Sequence, residues 1–314
     1  MEQNKKTKKK IHFALVSNLT MIDDAIMDKL LSYPNFSIST SLDGDKQTHD
    51  FARLMIGKGK DISSFDTLSK KIHFIREKEK KAGKRLLGGA MGVITKKTLT
   101  RYKELVDTYV ELGFDSIFLK KINALGFAEN TKNTIGYSTE ELQTFYKNYY
   151  GHLVELFEKG TIIRDGFLSI TLGKILKPEK TNFMDLRSPC GAAIGQIAYD
   201  YTGKIYTCDE GRMVDDDVFK IGDTDNSLQE LIQNDIVGAM MDASTVESLP
   251  CDICAYAPYC GVCPIESYQG RGNIYTNQVF DAHCSFFMFL FDWIFEILSN
   301  KDSLEYKFLM SQVI

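Results

Sequence analysis

Seven cysteines constrain what this chain can fold into, because of where they fall. Cys190 is the first, followed by Cys208, Cys251, Cys254, Cys260, Cys263 and Cys284, and the preceding 189 residues contain none. Four of the seven lie in "LPCDICAYAPYCGVCP", residues 249–264, a segment rich in turn formers. A CxxC pair lets two thiolates reach one metal centre across a tight turn, so thiols at this density point to ligation rather than to packing. The asymmetry divides the chain into a cysteine-free part and a part held partly by metal ligands.

The compartment matters for that reading. The basic run "NKKTKKK" leads into "IHFALV", which is too short an apolar segment for a signal peptide and has no small-residue cleavage site. The expected location is the cytoplasm, where reducing conditions disfavour structural disulfides. The basic run itself reads as a solvated tail. With a net charge of −4 there is no basic field to attract nucleic acid, and 44% hydrophobic residues suffice for a buried core. "SFFMFLFDWIFEIL", Ser285–Leu298, falls short of the ~20 apolar residues of a membrane span and carries Asp292 and Glu296. It is predicted to be a helix packed on the body of the protein, with no membrane partner.

The cysteine-free part alternates in character. "IHFALVSN", "FSISTSLDG", "RLLGGAMGVIT" and "DSIFLKKI" read as strands. Between and after them, "MIDDAIMDKLLSYP", "DISSFDTLSKKIHFIREKEKKAG", "TLTRYKELVDTYVELG" and "STEELQTFYKNYYGHLVELFEKG" read as helices, the last opening on a capping box of Ser138 and Glu141. Strand and helix in alternation predict βα units on a parallel sheet. Four strands are too few to close a barrel, which leaves a small open α/β layer or the later part of a larger barrel. Beyond about Asp185 the regularity gives way to turns, glycines and cysteines.

Spacing alone leaves three chemistries open for the thiols. Two tetrahedral zinc sites would want about eight N or S ligands, and His283 could make up the shortfall. Two iron–sulfur clusters would use thiolates almost exclusively. Unligated thiols scattered through a core are the third. Other features carry little: "GKGK" at Gly57 lacks phosphate-loop spacing. "GGAMG" from Gly88 marks close backbone approach in a strand. His12, His49, His73 and His152 show no ligand spacing and read as packing or surface residues. Tyr256 and Tyr259 read as covering groups.

The order of the cysteines resembles the SPASM domain, the auxiliary-cluster extension of radical S-adenosylmethionine (SAM) enzymes. Here Cys190 is followed, after twelve intervening residues, by Gly203 and then Cys208; Cys251, Cys254, Cys260 and Cys263 come next and Cys284 last. One departure shows, two residues instead of three between Cys260 and Cys263, and "TNFMDLRSP" lacks the extra upstream cysteine that some members carry. By the family's crossed ligation, Cys251, Cys254, Cys260 and Cys284 would hold one [4Fe–4S] cluster. Cys190, Cys208 and Cys263 would hold another, with a fourth position open or filled by a non-cysteine group. "ISTSLDGDKQTHDFAR" is similar to the radical SAM stretch that places groups near SAM, which puts Ser41, Asp43 and Arg53 there. Asp209, directly after Cys208, matches a position where some members carry a general base. "PYCGVCP" and "CDEGRM" look closest to the maturases of His-Xaa-Ser peptide systems.

The resemblance implies an incomplete TIM-like barrel over residues 1–180, a SPASM domain over 185–290, and a C-terminal helix and tail over 291–314. It implies two auxiliary [4Fe–4S] clusters, a peptide substrate and an electron donor such as ferredoxin or flavodoxin. The CxxxCxxC loop that cleaves SAM has no counterpart, since no cysteine precedes Cys190. SAM chemistry is therefore expected only with a separately encoded N-terminal part. The alternatives are a non-catalytic iron–sulfur protein that binds a peptide or passes electrons and, more weakly, a zinc-stabilised module.

Overall fold

A computed structural model describes residues 9–55, 62–123, 125–177, 183–214, 217–248, 251–275 and 282–313. The "GKGK" stretch and most of the basic run lie outside the described residues. The chain forms two compact units: residues 1–121 with 145–167, and 122–144 with 168–314.

The first unit is built on a parallel sheet of β1 (Phe13–Val16), β2 (Phe36–Ser41), β3 (Leu87–Val93), β4 (Ser116–Lys120) and β5 (Arg164–Asp165), in that spatial order. All four predicted strands form, and β5 adds a fifth through Ser116↔Arg164 and Ile117↔Asp165. Among the described residues the sheet is open: β1 pairs only with β2, and β5 only with β4.

Local chemistry fixes the helices between these strands. Asp23 caps Asp24–Leu31, and Ser63 caps Ser64–Ala82 by accepting from the Asp66 N–H. The latter helix buries Leu68, Ile72, Ile75 and Glu79 at helical spacing and stops at Gly83, whose φ of +61° suits a glycine C-cap. Glu79 accepts from the N–H groups of Leu86 and Leu87, both at 2.5 Å, and pairs with Arg76, which pins the helix end to the start of β3. In β3 a Cβ on Gly92 would lie 2.6 Å from the Leu42 carbonyl oxygen, so "GGAMG" does mark close strand approach. A further helix, Lys46–Ala52, follows Asp43 and Gly44 in "LDGDKQTHDFAR", where no helix was expected.

The second unit contains a three-stranded antiparallel sheet, β6 (Ala198–Tyr199), β7 (Lys204–Tyr206) and β8 (Lys220–Asp223), covered by Leu231 and Val237 from the helices that follow. The apolar C-terminal segment forms one helix, Ala282–Ser299, that buries His283, Phe286, Phe287, Leu290, Phe291, Ile294 and Ile297. It is long and apolar enough to cross a bilayer by composition alone. Its buried stripe marks it as a packed helix, as expected. The helix starts ahead of residue 291, and a second helix, Leu304–Ser311, stands where a tail was expected. Segment 122–144 groups with the cysteine-rich unit.

Candidate functional site

The cysteine segment is coiled by consecutive turns. The Cys254 N–H donates to the Cys251 carbonyl, the Ala257 N–H to Cys254, and the Cys260 N–H to Tyr256. These reversals bring Cys251, Cys254 and Cys260 around one cavity, and Cys284 reaches it from the helix Ala282–Ser299. The cavity holds about 450 Å³ of space free of atoms, part of it open to solvent. Tyr256, Phe287 and Phe291 wall it, and the rings of Tyr256 and Tyr259 pack on Phe291 and Phe295.

The other three thiols gather elsewhere in the same unit. Cys190, Cys208 and Cys263 share one apolar cluster with Leu125, Phe219, Ile265 and the partly buried Met184. Each sulfur accepts a backbone N–H: Cys190 from Ala192 at 3.4 Å, Cys208 from Gly211 at 3.2 Å, and Cys263 from Glu266. The crossing point is Gly261, between Cys260 and Cys263. A Cβ there would lie 2.6 Å from the Asp185 carbonyl oxygen and 2.9 Å from the Arg187 amide nitrogen, so only glycine lets the turn seat against that segment.

None of the seven cysteines is in a disulfide. Burial pushes the thiols of Cys208 and Cys260 up to about 12 and that of Cys263 well above its ordinary value. Such thiols stay protonated at neutral pH until a metal displaces the proton.

The donors fit an iron–sulfur cluster better than a single ion. Among the described residues no group of three or more His, Cys, Asp or Glu side chains converges as a lone ion requires. Four sulfurs instead surround a cavity, the arrangement an inorganic core needs. His283, the residue that could complete a zinc site, does not serve: Nδ1 bonds Glu266 at 3.0 Å and Nε2 bonds the Gly261 carbonyl at 3.1 Å. It ties the helix bearing Cys284 to the turn between Cys260 and Cys263. A second fitting feature is Thr207, beside Cys208, whose fully buried hydroxyl makes no well-formed hydrogen bond and interacts loosely with the Cys208 thiol.

The residues expected near SAM lie in the first unit, after β2. Ser41 ends the strand. The buried Asp43 carboxylate accepts from Arg53 Nε at 2.6 Å and Nη2 at 3.0 Å, and from the Val93 N–H at 2.9 Å. Its own N–H donates to Nδ1 of the buried His49. Asp43 and Arg53 are thus brought together, and their charges are spent on each other and on joining β2 to β3. Asp209 is exposed and pairs with Arg212 at 2.8 Å. Sequence reasoning missed Asp45, which caps Lys46–Ala52 and binds Arg101 at 2.7 Å. It also missed Tyr109, whose buried hydroxyl donates to the Leu42 carbonyl at 2.6 Å. The Asp-Gly-Asp run and the helical period were the available signals for the two. His12 and His73 are exposed and His152 is buried between Asp107 and Glu155.

No family model matches this chain, and no curated protein matches it. Solved structures do. A structure described as native anSMEcpe with bound AdoMet superposes with a TM-score of 0.69 at 18% identity, over 95% of this chain and 78% of that one. One of anSMEcpe with AdoMet and a Kp18Cys peptide gives 0.67 at 18%, over 95% and 79%. Streptococcus suis SuiB bound to its precursor peptide SuiA gives 0.59 at 16%, over 86% and 58%. Over the superposed residues the chain therefore shares the fold of these proteins.

Proposed function

We propose that this chain is the auxiliary-cluster portion of a radical SAM enzyme that modifies a ribosomally made peptide or protein in the cytoplasm. The observation that carries the reading is the sorting of the seven cysteines. Cys251, Cys254, Cys260 and Cys284 ring one cavity, while Cys190, Cys208 and Cys263 share one buried cluster. That is the division the SPASM pattern implies. The fold shared with proteins solved with AdoMet and peptides supports the same reading.

In this reading the two sets each hold a [4Fe–4S] cluster, which would take the electron left on an oxidised substrate and pass it to a ferredoxin or flavodoxin. The chain's own residues do the rest. Gly261 and His283 set the directions of the flanking thiols, and Tyr256 shields the four-thiol cavity. Asp209 is the candidate proton acceptor; its exposure leaves it open to a substrate. The thiolates that cleave SAM lie outside these 314 residues, in a preceding segment or a separate polypeptide. The free edge of β1, with Phe13 and Val16 exposed, is where further parallel strands would add. A His-Xaa-Ser-type substrate system is the narrower form of the proposal.

The test is anaerobic reconstitution with iron and sulfide. About eight iron and eight sulfide per chain are expected; stoichiometric zinc without sulfide would sink the reading. Adding the upstream polypeptide should then confer SAM cleavage that the chain alone lacks. A second reading, a non-catalytic cluster protein, is favoured by Asp43 and Arg53, which satisfy each other rather than facing a ligand. It predicts full cluster loading but no association with any radical-generating segment.

A further inference from the structure

Thr207 follows β7 and precedes Cys208. Its backbone is held at both ends: the N–H donates to the Phe219 carbonyl at 3.0 Å, and the carbonyl accepts from the Ala193 N–H at 2.7 Å. The side chain is 0% exposed, and its hydroxyl makes no well-formed hydrogen bond in the protein, interacting only loosely with the Cys208 thiol. Buried hydroxyls are almost always satisfied, because leaving one unpaired costs its full desolvation. The direction of the hydroxyl is informative. A Cβ placed on Gly211 would lie 2.8 Å from Thr207 Oγ1 and 3.5 Å from Cys208 Sγ, so oxygen and sulfur border the same small space. Glycine at 211 keeps that space clear. The neighbouring donors already aim at sulfur: the N–H groups of Ala192 and Gly211 point at Cys190 and Cys208. Thr207 carries a donor of this group that the cluster-free protein leaves without a well-formed hydrogen bond.

We propose that the Thr207 hydroxyl donates a hydrogen bond to a sulfur of the cluster held by Cys190, Cys208 and Cys263, either the Cys208 thiolate or an inorganic sulfide, and thereby raises that cluster's reduction potential. The inference rests on the cluster reading above. A donor to sulfur stabilises the more negative, reduced state, so removing it makes reduction harder. Thr207 is a positioning and tuning residue in this scheme. It exchanges no proton and forms no bond to iron.

The two states of the protein respond with opposite signs, and this separates tuning from ordinary packing. Thr207→Val keeps the shape and removes only the hydroxyl. In the cluster-free chain no well-formed hydrogen bond is lost, so the melting temperature should stay at or above that of wild type. In the anaerobically reconstituted chain, iron and sulfide per chain should match wild type. The electron paramagnetic resonance signal that Cys190→Ala abolishes should then titrate at a more negative potential, while the other signal stays put. Thr207→Ser should restore the wild-type potential. An unchanged potential at full cluster content overturns the proposal, and so does a fall in the cluster-free melting temperature, which would reveal a structural partner for the hydroxyl. Wild-type protein that takes up no acid-labile sulfide overturns the cluster reading itself, and the Thr207 proposal with it.

Discussion

Asp43 illustrates how one carboxylate can set the end of a strand. It is 1% exposed and accepts from the Arg53 guanidinium through two contacts and from the Val93 amide. Removing it leaves the guanidinium and a backbone N–H without their acceptor. Asp43→Ala should cost on the order of 3 kcal/mol in urea unfolding, since hydrogen bonds to charged groups contribute about 1.5–3 kcal/mol each. Its neighbour Asp45 gives a pH signature. Partial burial raises this carboxyl, but hydrogen bonds from Arg101 and Thr48 outweigh that, and it lies below its ordinary value of 3.8. A depressed carboxyl stabilises the fold above the unfolded-state value and loses that contribution as pH falls through the folded one. Asp45→Asn should therefore lower the melting temperature at pH 7 and leave a shallower decline below about pH 4. An unchanged acid limb would show that Asp45 is not the group titrating. His283 acts at the same scale: His283→Phe retains the contact with Phe287 but frees the Gly261 carbonyl, and about 2 kcal/mol of stability should go with its two hydrogen bonds.

At the scale of elements, glycine positions decide how segments meet. Gly261 sits against backbone atoms of Asp185 and Arg187, which cannot swing aside as a side-chain tip can. Gly261→Ala should destabilise the cysteine-rich unit by about 3 kcal/mol and reduce iron uptake, measured as iron per chain after reconstitution. Gly88 in β3 is the contrast. A Cβ there meets nothing within 4 Å, so Gly88→Ala should be neutral or slightly stabilising. The elements read from sequence were those with strong periodicity: β1 to β4, the long helix Ser64–Ala82 with its Gly83 stop, and the capping box of Ser138 and Glu141. Those overlooked were short or lacked a periodic face. β5 is only two residues, Arg164–Asp165, and its pairing with β4 is a tertiary fact. Lys46–Ala52 hid within a turn-like run because seven residues show barely two helical turns.

For the whole molecule, the open sheet is the feature with consequences. β1 is apolar throughout, and Phe13 and Val16 are exposed on an edge that pairs on one side only. Such an edge invites a further strand. If the SAM-cleaving segment proposed above adds at this edge, Val16→Lys should leave the thermal unfolding of this chain unchanged while abolishing co-purification with that segment. Retained association would place the docking surface elsewhere. Cluster loading should also act on one unit alone. Stripping iron from the reconstituted protein should lower the calorimetric transition of the cysteine-rich unit and spare that of the sheet unit, because ligation energy belongs to the part that supplies the ligands.

Two kinds of information separate cleanly in this protein. The chain by itself determined the chemistry available: seven thiols, four of them within residues 251–263, none before Cys190, and alternating strand and helix segments that favour a parallel sheet. Those are properties of residue type and spacing, carried by local sequence. Tertiary structure alone decided which thiols meet. Cys260 and Cys263 are three positions apart yet face different sites, because Gly261 turns the backbone against residues 185–187, while Cys284 arrives from a distant helix. It likewise committed Asp43 and Arg53 to each other and set the buried Thr207 hydroxyl beside the Cys208 thiol. Directions of side chains follow from chain reversals and packing across long separations, and no local pattern encodes them.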